Sequence, residues 1–153
     1  MDIMSVREIR SWSCTMQLPG RPFGAKGVLD IRSNVVEVFD LCAILGGSET
    51  DPLPGHVVMV VSMDATNIGI LVDSVSDIIF AEPENFRDAP GAGIDEQGAK
   101  TSGLVQQDER LIAVLNLNAL FTGRLVRKAL AGLIRSSPAE CQNDFTAALY
   151  VIR

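Results

Sequence analysis

The stretch "GVLDIRSNVVEVFDL", residues 27–41, sets the class of this fold. Val28, Asp30 and Arg32 alternate with Leu29 and Ile31, and beyond Ser33-Asn34 a second β-branched run follows. Period-two alternation on both sides of a polar pair reads as two strands around a turn at Ser33-Asn34. Before it, "MQLPGRPFGAKG" (16–27) is punctuated by Pro19, Gly20, Pro22, Gly24 and Gly27 and reads as loop. Earlier still, "SVREIRSW" (5–12) alternates, with Ser5, Arg7, Ile9 and Ser11 on one side and Val6, Glu8, Arg10 and Trp12 on the other.

Downstream, "HVVMVVSM" (56–63) and "IGILVD" (68–73) are β-branched runs joined through Asp64 to Asn67, a hairpin pattern. "VSDIIF" (75–80) continues the sheet, and the polar, Gly-rich 81–99 reads as loop. "TSGLVQQDERLIAVLNL" (101–117) is a further hairpin with its tip at Gln106–Glu109. The period then lengthens. Leu120, Phe121, Leu125, Ala129, Leu130, Leu133 and Ile134 recur at helical spacing after Asn118, the expected N-cap, and Ser136-Ser137-Pro138 ends the run. A polar linker leads to "DFTAALYVIR" (144–153), a strand-like tail. Many short strands, Gly/Pro turns and little helix predict a mainly β protein built of small barrels.

The 153 residues suit one domain or two small lobes around one core, and 47% hydrophobic residues can fill it. A net charge of −6 argues against nucleic acid or an anionic membrane surface as the main partner. No apolar run approaches the roughly 18 to 20 residues of a membrane span, and Asp2 and Glu8 break the order of a signal peptide. Cys14, Cys42 and Cys141 are odd in number and not spaced as metal ligands, so reduced thiols of a cytoplasmic protein are expected.

Groups able to do chemistry are scattered. His56 is the one histidine; without a Ser or Cys partner it reads as a surface loop residue. Asp73 and Asp77 would share a strand face, yet four residues along a strand is about 13 Å, too far for a tight carboxylate pair. In "GRPFGAKG" (20–27), Lys26 does not directly follow the second glycine, no Ser or Thr follows it, and Pro22 removes an N–H, so the match to a phosphate loop fails. The expectation is a noncatalytic binding protein with no metal and no cofactor.

Taken in order, "VREIRSW", "LPGRPFGAKGVLDIRSNVVEVFDL", "GILVDSVSDII" and "GLVQQDERLIAVLNLNALF" resemble the CheW-like domain family over roughly Ile3 to Phe121. The resemblance implies two five-stranded, SH3-like β-barrels around a shared apolar core, plus a C-terminal helix and the tail. It also implies a cytoplasmic adaptor, peripheral to membrane receptor arrays, that couples chemoreceptor tips to the regulatory domain of the chemotaxis histidine kinase. The alternative is a divergent relative with altered partners. Val6, Glu8 and Ile9 fall on the V-x-E-I motif. Arg32, Ser33, Asn34 and Asp40 fall on the hairpin motif, as structural or partner-binding positions, and the resemblance implies an ion pair between Glu8 and Arg32. Gly69, Val72, Asp73, Val75 and Asp77 fall on the G-x-x-V-D-x-V-x-D segment, with Val72 and Val75 expected in the core and Asp73 structural. Ser33 and Glu37 stand where relatives carry Gly and Pro, and Ser33 makes a positive φ there costly.

The division expected is 1–135 for the domain and 136–153 for linker and tail. Apolar residues at Ile3, Met4, Val6 and Ile9 suggest core packing close to the start of the chain, whereas CheW-like domains begin with a longer lead-in. The tail, with Phe145, Leu149 and Val151 on one face, is the expected substitute strand, in its own chain or exchanged in a homodimer.

Overall fold

A computed structural model describes residues 3–17, 19–63, 66–88, 100–107, 109–121 and 147–152. The chain divides into two units, residues 2–79 with 149–153, and residues 80–148.

The first unit is a five-stranded sheet of order β1-β4-β5-β3-β2. Its strands are Val6–Ser11 (β1), Ala25–Ile31 (β2), Asn34–Asp40 (β3), Val57–Met63 (β4) and Thr66–Val72 (β5). All neighbours run antiparallel except β3 and β5, which are parallel. The opening stretch therefore forms the β2–β3 hairpin, with a correction of one residue at its turn. Ile31 pairs with Asn34, so the two turn residues are Arg32 and Ser33, at φ 51° and 65°. Two successive positive φ values match the right-handed twist of the flanking strands, the reason such tight hairpins usually carry Gly or Asn there.

Leu29, Ile31, Val36, Val38, Val58, Val60 and Leu71 form one apolar cluster, and Trp12 packs against it. Met59, Val61, Ile68, Ile70 and Phe39 alternate with them and are buried as well. A sheet covered on both faces needs apolar residues at every position, which is why β4 reads "VVMVVSM" without alternation.

β1 departs from simple alternation. Val6 lies opposite Val61 and Glu8 opposite Val60, so Arg7 is an extra, bulged residue. The bulge returns Val6 to the face shared by Ile9 and Met59, and leaves Glu8 and Arg10 on the face of Val60 and Val58. The expectation that placed Val6 beside Glu8 is corrected. Core packing at the start of the chain is corrected too: Met4 is exposed, and Ile9, on an edge strand, is 48% exposed.

After β1 the chain crosses to the opposite edge of the sheet. Met16 and Val28 exchange both backbone hydrogen bonds, and Thr15 Oγ1 and Gln17 Nε2 donate to the Lys26 carbonyl. The crossing segment thus runs beside β2, joined to it at the Met16–Val28 bridge, without closing the five-stranded sheet into a barrel. Gly27 permits this approach: its φ is 116°, and a Cβ there would stand 2.5 Å from the Met16 carbonyl oxygen. β6 (Ser74–Phe80) forms a separate two-stranded ladder with β10 (Ala147–Ile152).

The second unit contains a three-stranded sheet of β7 (Phe86–Arg87), β8 (Thr101–Gln107) and β9 (Arg110–Leu115), in that order. The loop expected over 81–99 therefore includes a short strand. Ala81, Phe86, Val105 and Val114 pack together, and Gly103 leaves room for the Phe86 ring, whose nearest atom would lie 2.5 Å from an added Cβ. Residues 117–121 are helical. Asn116, not Asn118, caps them: its Oδ1 accepts from the Ala119 N–H and its carbonyl from the Leu120 N–H. The rest of the expected helix, beyond 121, lies outside the described residues, as does the 64–65 turn between β4 and β5.

Candidate functional site

Two groups of charged side chains stand out in the first unit. One is exposed. Glu8 sits on β1 with one carboxylate oxygen 3.6 Å from Arg10 Nε and the other 3.7 Å from Arg32. The ion pair implied by the resemblance is therefore present, as one arm of a three-residue cluster. Arg32 is 84% exposed and Glu8 28%. The bulge at Arg7 is what aims Glu8 toward this lip, and the two-residue turn is what holds Arg32 there. Asn34 Nδ2 donates to the Arg32 carbonyl across the same turn.

The other group is buried, and sequence reading did not find it. Lys26 Nζ lies 3.4 Å from Asp40 and 3.5 Å from Glu49, with side-chain exposures of 9%, 1% and 38%. Asp40 ends β3 and caps a short helix, α1 (Leu41–Ile44), accepting from the N–H groups of Cys42 and Ala43. It also accepts from the backbone N–H and hydroxyl of Thr50. Glu49 in turn accepts from the Gly24 N–H. These bonds tie β2, the end of β3 and the 46–50 loop into one clamp. The glycines that flank Lys26 suggest loop, yet β2 begins at Ala25. Alternation carries no signal for it: period two groups Lys26 with half-buried Val28 and exposed Asp30, and a register shift between Ala25 and Gly27 breaks that period.

Of the remaining candidates, Gly69 and Val72 are buried and Val75 is half-buried. An added Cβ at Gly69 would meet Val38 and Val58 side-chain atoms at 3.0 and 3.1 Å, so only glycine lets those valines close over β5. His56 is half-buried rather than on the surface. Its Nδ1 accepts from the Leu53 N–H at 3.3 Å, and its Nε2 stands 4.0 Å from Asp73. Asp77, in the middle of β6, accepts a local hydrogen bond from the N–H of Ile78. Leu149 and Val151 lie on β10, while Phe145 lies outside the described residues. No group of three or more metal-ligating side chains occurs among the described residues.

Comparison with known proteins agrees with this geometry. The pattern of the CheW-like domain matches residues 1–124. The chain is 36% identical over 122 residues to a probable chemotaxis protein CheW of Rhizobium etli, covering 80% of this chain and 79% of that one. It is 31% identical to chemotaxis protein CheW of Rhizobium meliloti, covering 79% and 78%. The crystal structure of the scaffolding protein TtCheW from Thermoanaerobacter tengcongensis shares the fold, with a TM-score of 0.70 at 21% identity over 78% of this chain and 82% of that one. A five-stranded curled sheet, the V-x-E-I strand at its edge and the paired Glu8 and Arg32 thus meet in a chain that belongs to the CheW-like domain family.

Proposed function

We propose that this protein is a noncatalytic scaffold of a chemotaxis pathway, joining the cytoplasmic tips of chemoreceptors to the regulatory domain of the histidine kinase. Relatives that bear the name chemotaxis protein and a structural neighbour that bears the name scaffolding protein support the reading. The observation that carries it within the chain is the Glu8–Arg10–Arg32 lip. Three charges are held together at the rim of the five-stranded sheet, where solvent weakens their mutual attraction. Such a cluster contributes little to folding and presents arginine forks suited to carboxylates of a partner. Work at a receptor array, from the cytoplasmic side, follows from this role. No helix among the described residues is long and apolar enough to cross a membrane.

One observation favours a second reading, a divergent relative with altered partners. Ser33 holds φ 65° in the turn that presents Arg32, a position relatives fill with glycine. The domain is read as 1–135, and β10 of the 136–153 segment as a cover for β6 within its own chain. Co-sedimentation with receptor-bearing membranes and the kinase tests the proposal. Kinase recruitment by the wild-type chain, lost on Glu8→Arg, is expected. A chain that leaves the kinase in the supernatant refutes coupling and favours the divergent reading.

A further inference from the structure

The loop "DPLPGH", residues 51–56, leads from the buried clamp into β4, and one side chain closes it. Pro52 and Pro54 have no N–H, so within 52–54 the Leu53 N–H is the sole backbone donor. His56 grips Leu53 twice. Its own N–H donates to the Leu53 carbonyl at 3.1 Å, and its ring Nδ1 accepts from the Leu53 N–H at 3.3 Å. Gly55, at φ 109°, lets the chain turn back tightly enough for both bonds. The ends of the loop are fixed separately: Thr50 donates twice to Asp40, and the His56 carbonyl accepts from the Trp12 N–H at 2.7 Å. A backbone N–H can only donate, so Nδ1 carries no proton here and the neutral ring holds its proton on Nε2. Nε2 faces Asp73, at the bend between β5 and β6, across 4.0 Å, beyond the reach of a hydrogen bond. Asp73 is the charge aimed at the ring. The loop itself carries Asp51, β4 carries no charge, and β1, which meets His56 through Trp12, carries Arg10 on the Glu8 carboxylate.

We propose that His56 is a proton-operated latch on this loop. The neutral ring holds the Leu53 N–H. A proton taken from solvent goes to Nδ1, sets two donors against each other and breaks that contact. The same proton makes the ring a cation, which draws the Nε2–H toward the Asp73 carboxylate and closes the 4.0 Å gap. Leu53, 58% exposed, is then held by one bond instead of two. The anchors at Thr50 and Trp12 stay in place, because neither uses the ring. Movement is therefore confined to 51–55 and falls on Leu53 and Gly55, since the prolines beside them have a fixed φ. The latch is independent of receptor–kinase coupling.

His56 is the one histidine of the chain, so its ring signals in a nuclear magnetic resonance titration need no variant to assign. Spectra of the wild-type chain are recorded from about pH 8 to about pH 5, above the ordinary carboxylate range. The Leu53 amide should shift along the same curve as the ring carbons. Its hydrogen exchange, scaled to an unstructured peptide of the same sequence, should be at least about tenfold faster at the low end. The Trp12 amide, bonded to the His56 carbonyl, should keep its protection throughout. In His56→Gln, whose side chain does not titrate, the Leu53 amide should hold one position across the range. A ring that titrates while Leu53 keeps both its position and its protection overturns the latch. A Leu53 amide that moves equally in His56→Gln overturns it too. So does loss of protection at Trp12 together with Leu53, which would be the opening of a whole sheet edge rather than of one loop.

Discussion

The buried clamp of Lys26, Asp40 and Glu49 and the exposed lip of Glu8, Arg10 and Arg32 use the same ingredients at nearly the same distances. The nitrogen-to-oxygen separations are 3.4 and 3.5 Å in the clamp and 3.6 and 3.7 Å in the lip. What separates them is water. Asp40 is 1% exposed and Arg32 84%. In the clamp, Lys26 and Asp40 have given up hydration and must be met by protein dipoles or by an opposite charge. In the lip, solvent and salt screen the pair, and holding two long side chains in place offsets most of the attraction. Distance therefore says little about the role of an ion pair in this protein, and burial says most.

Asp40→Ala gives the largest expected effect. It leaves the Lys26 amine with only the half-exposed Glu49, removes the cap of α1 and strands the Thr50 N–H and hydroxyl. Breaking a buried pair of this kind costs about 3–5 kcal/mol. The urea midpoint should fall accordingly, and a loss below about 1 kcal/mol, the range of an exposed pair, would erase the distinction between clamp and lip.

Lys26→Met probes the same clamp from its other side and should cost less, about 1–2 kcal/mol. Asp40 keeps the bonds from Cys42, Ala43 and Thr50, and Glu49 can turn to solvent. The ratio of the two losses is the sharper measurement. Equal losses in the two denaturation curves would mean that the pairing, and not the web of N–H donors around Asp40, holds the 46–50 loop.

These two regions were also unequally readable in the sequence. The β2–β3 hairpin, the β4–β5 hairpin and the V-x-E-I strand announce themselves through alternation and turn residues, and the resemblance implied that Glu8 and Arg32 meet. The clamp stayed hidden because its members sit in three segments, and glycines around Lys26 read as loop. Only the β2–β3 register, which sets Ala25 opposite Phe39 across a bulge, brings Lys26 beside Asp40. The bulge at Arg7 was hidden for a similar reason: it appears only when β1 is laid against β4. The cap at Asn116 was missed in favour of Asn118 because both asparagines precede an apolar helical pattern, and two residues decide which carbonyl starts the ladder.

Ser33→Gly moves the comparison to the backbone beneath the lip. Relief of a positive φ at a non-glycine residue favours the variant, while the added freedom of its unfolded chain works against it. A net gain of about 0.5–1 kcal/mol is expected, seen as a higher thermal midpoint. Unchanged stability would place the tension of this turn elsewhere, with Arg32 at φ 51° the next residue to replace.

The smallest effect on folding, and the most telling, belongs to Arg32→Gln. The variant removes one arm of the lip but leaves Glu8 within 3.6 Å of Arg10, so Glu8 keeps a cation. An exposed pair of this kind contributes about 0–1 kcal/mol, and the loss should sit at the low end and vanish in high salt. Kinase recruitment in the sedimentation assay should nonetheless fall, since the guanidinium removed is the one most open to a partner. That dissociation of stability from recruitment is what a docking charge predicts. The double variant Glu8→Arg/Arg32→Glu sharpens it: the Glu8–Arg32 pair is rebuilt in reverse, so stability returns in part, less the repulsion between the new arginine and Arg10, but the surface offered to a partner has the wrong sign and recruitment stays low. Recovery of recruitment along with stability would show that the lip acts by holding β1 to the β2–β3 turn, and would move it to the clamp's side of the comparison.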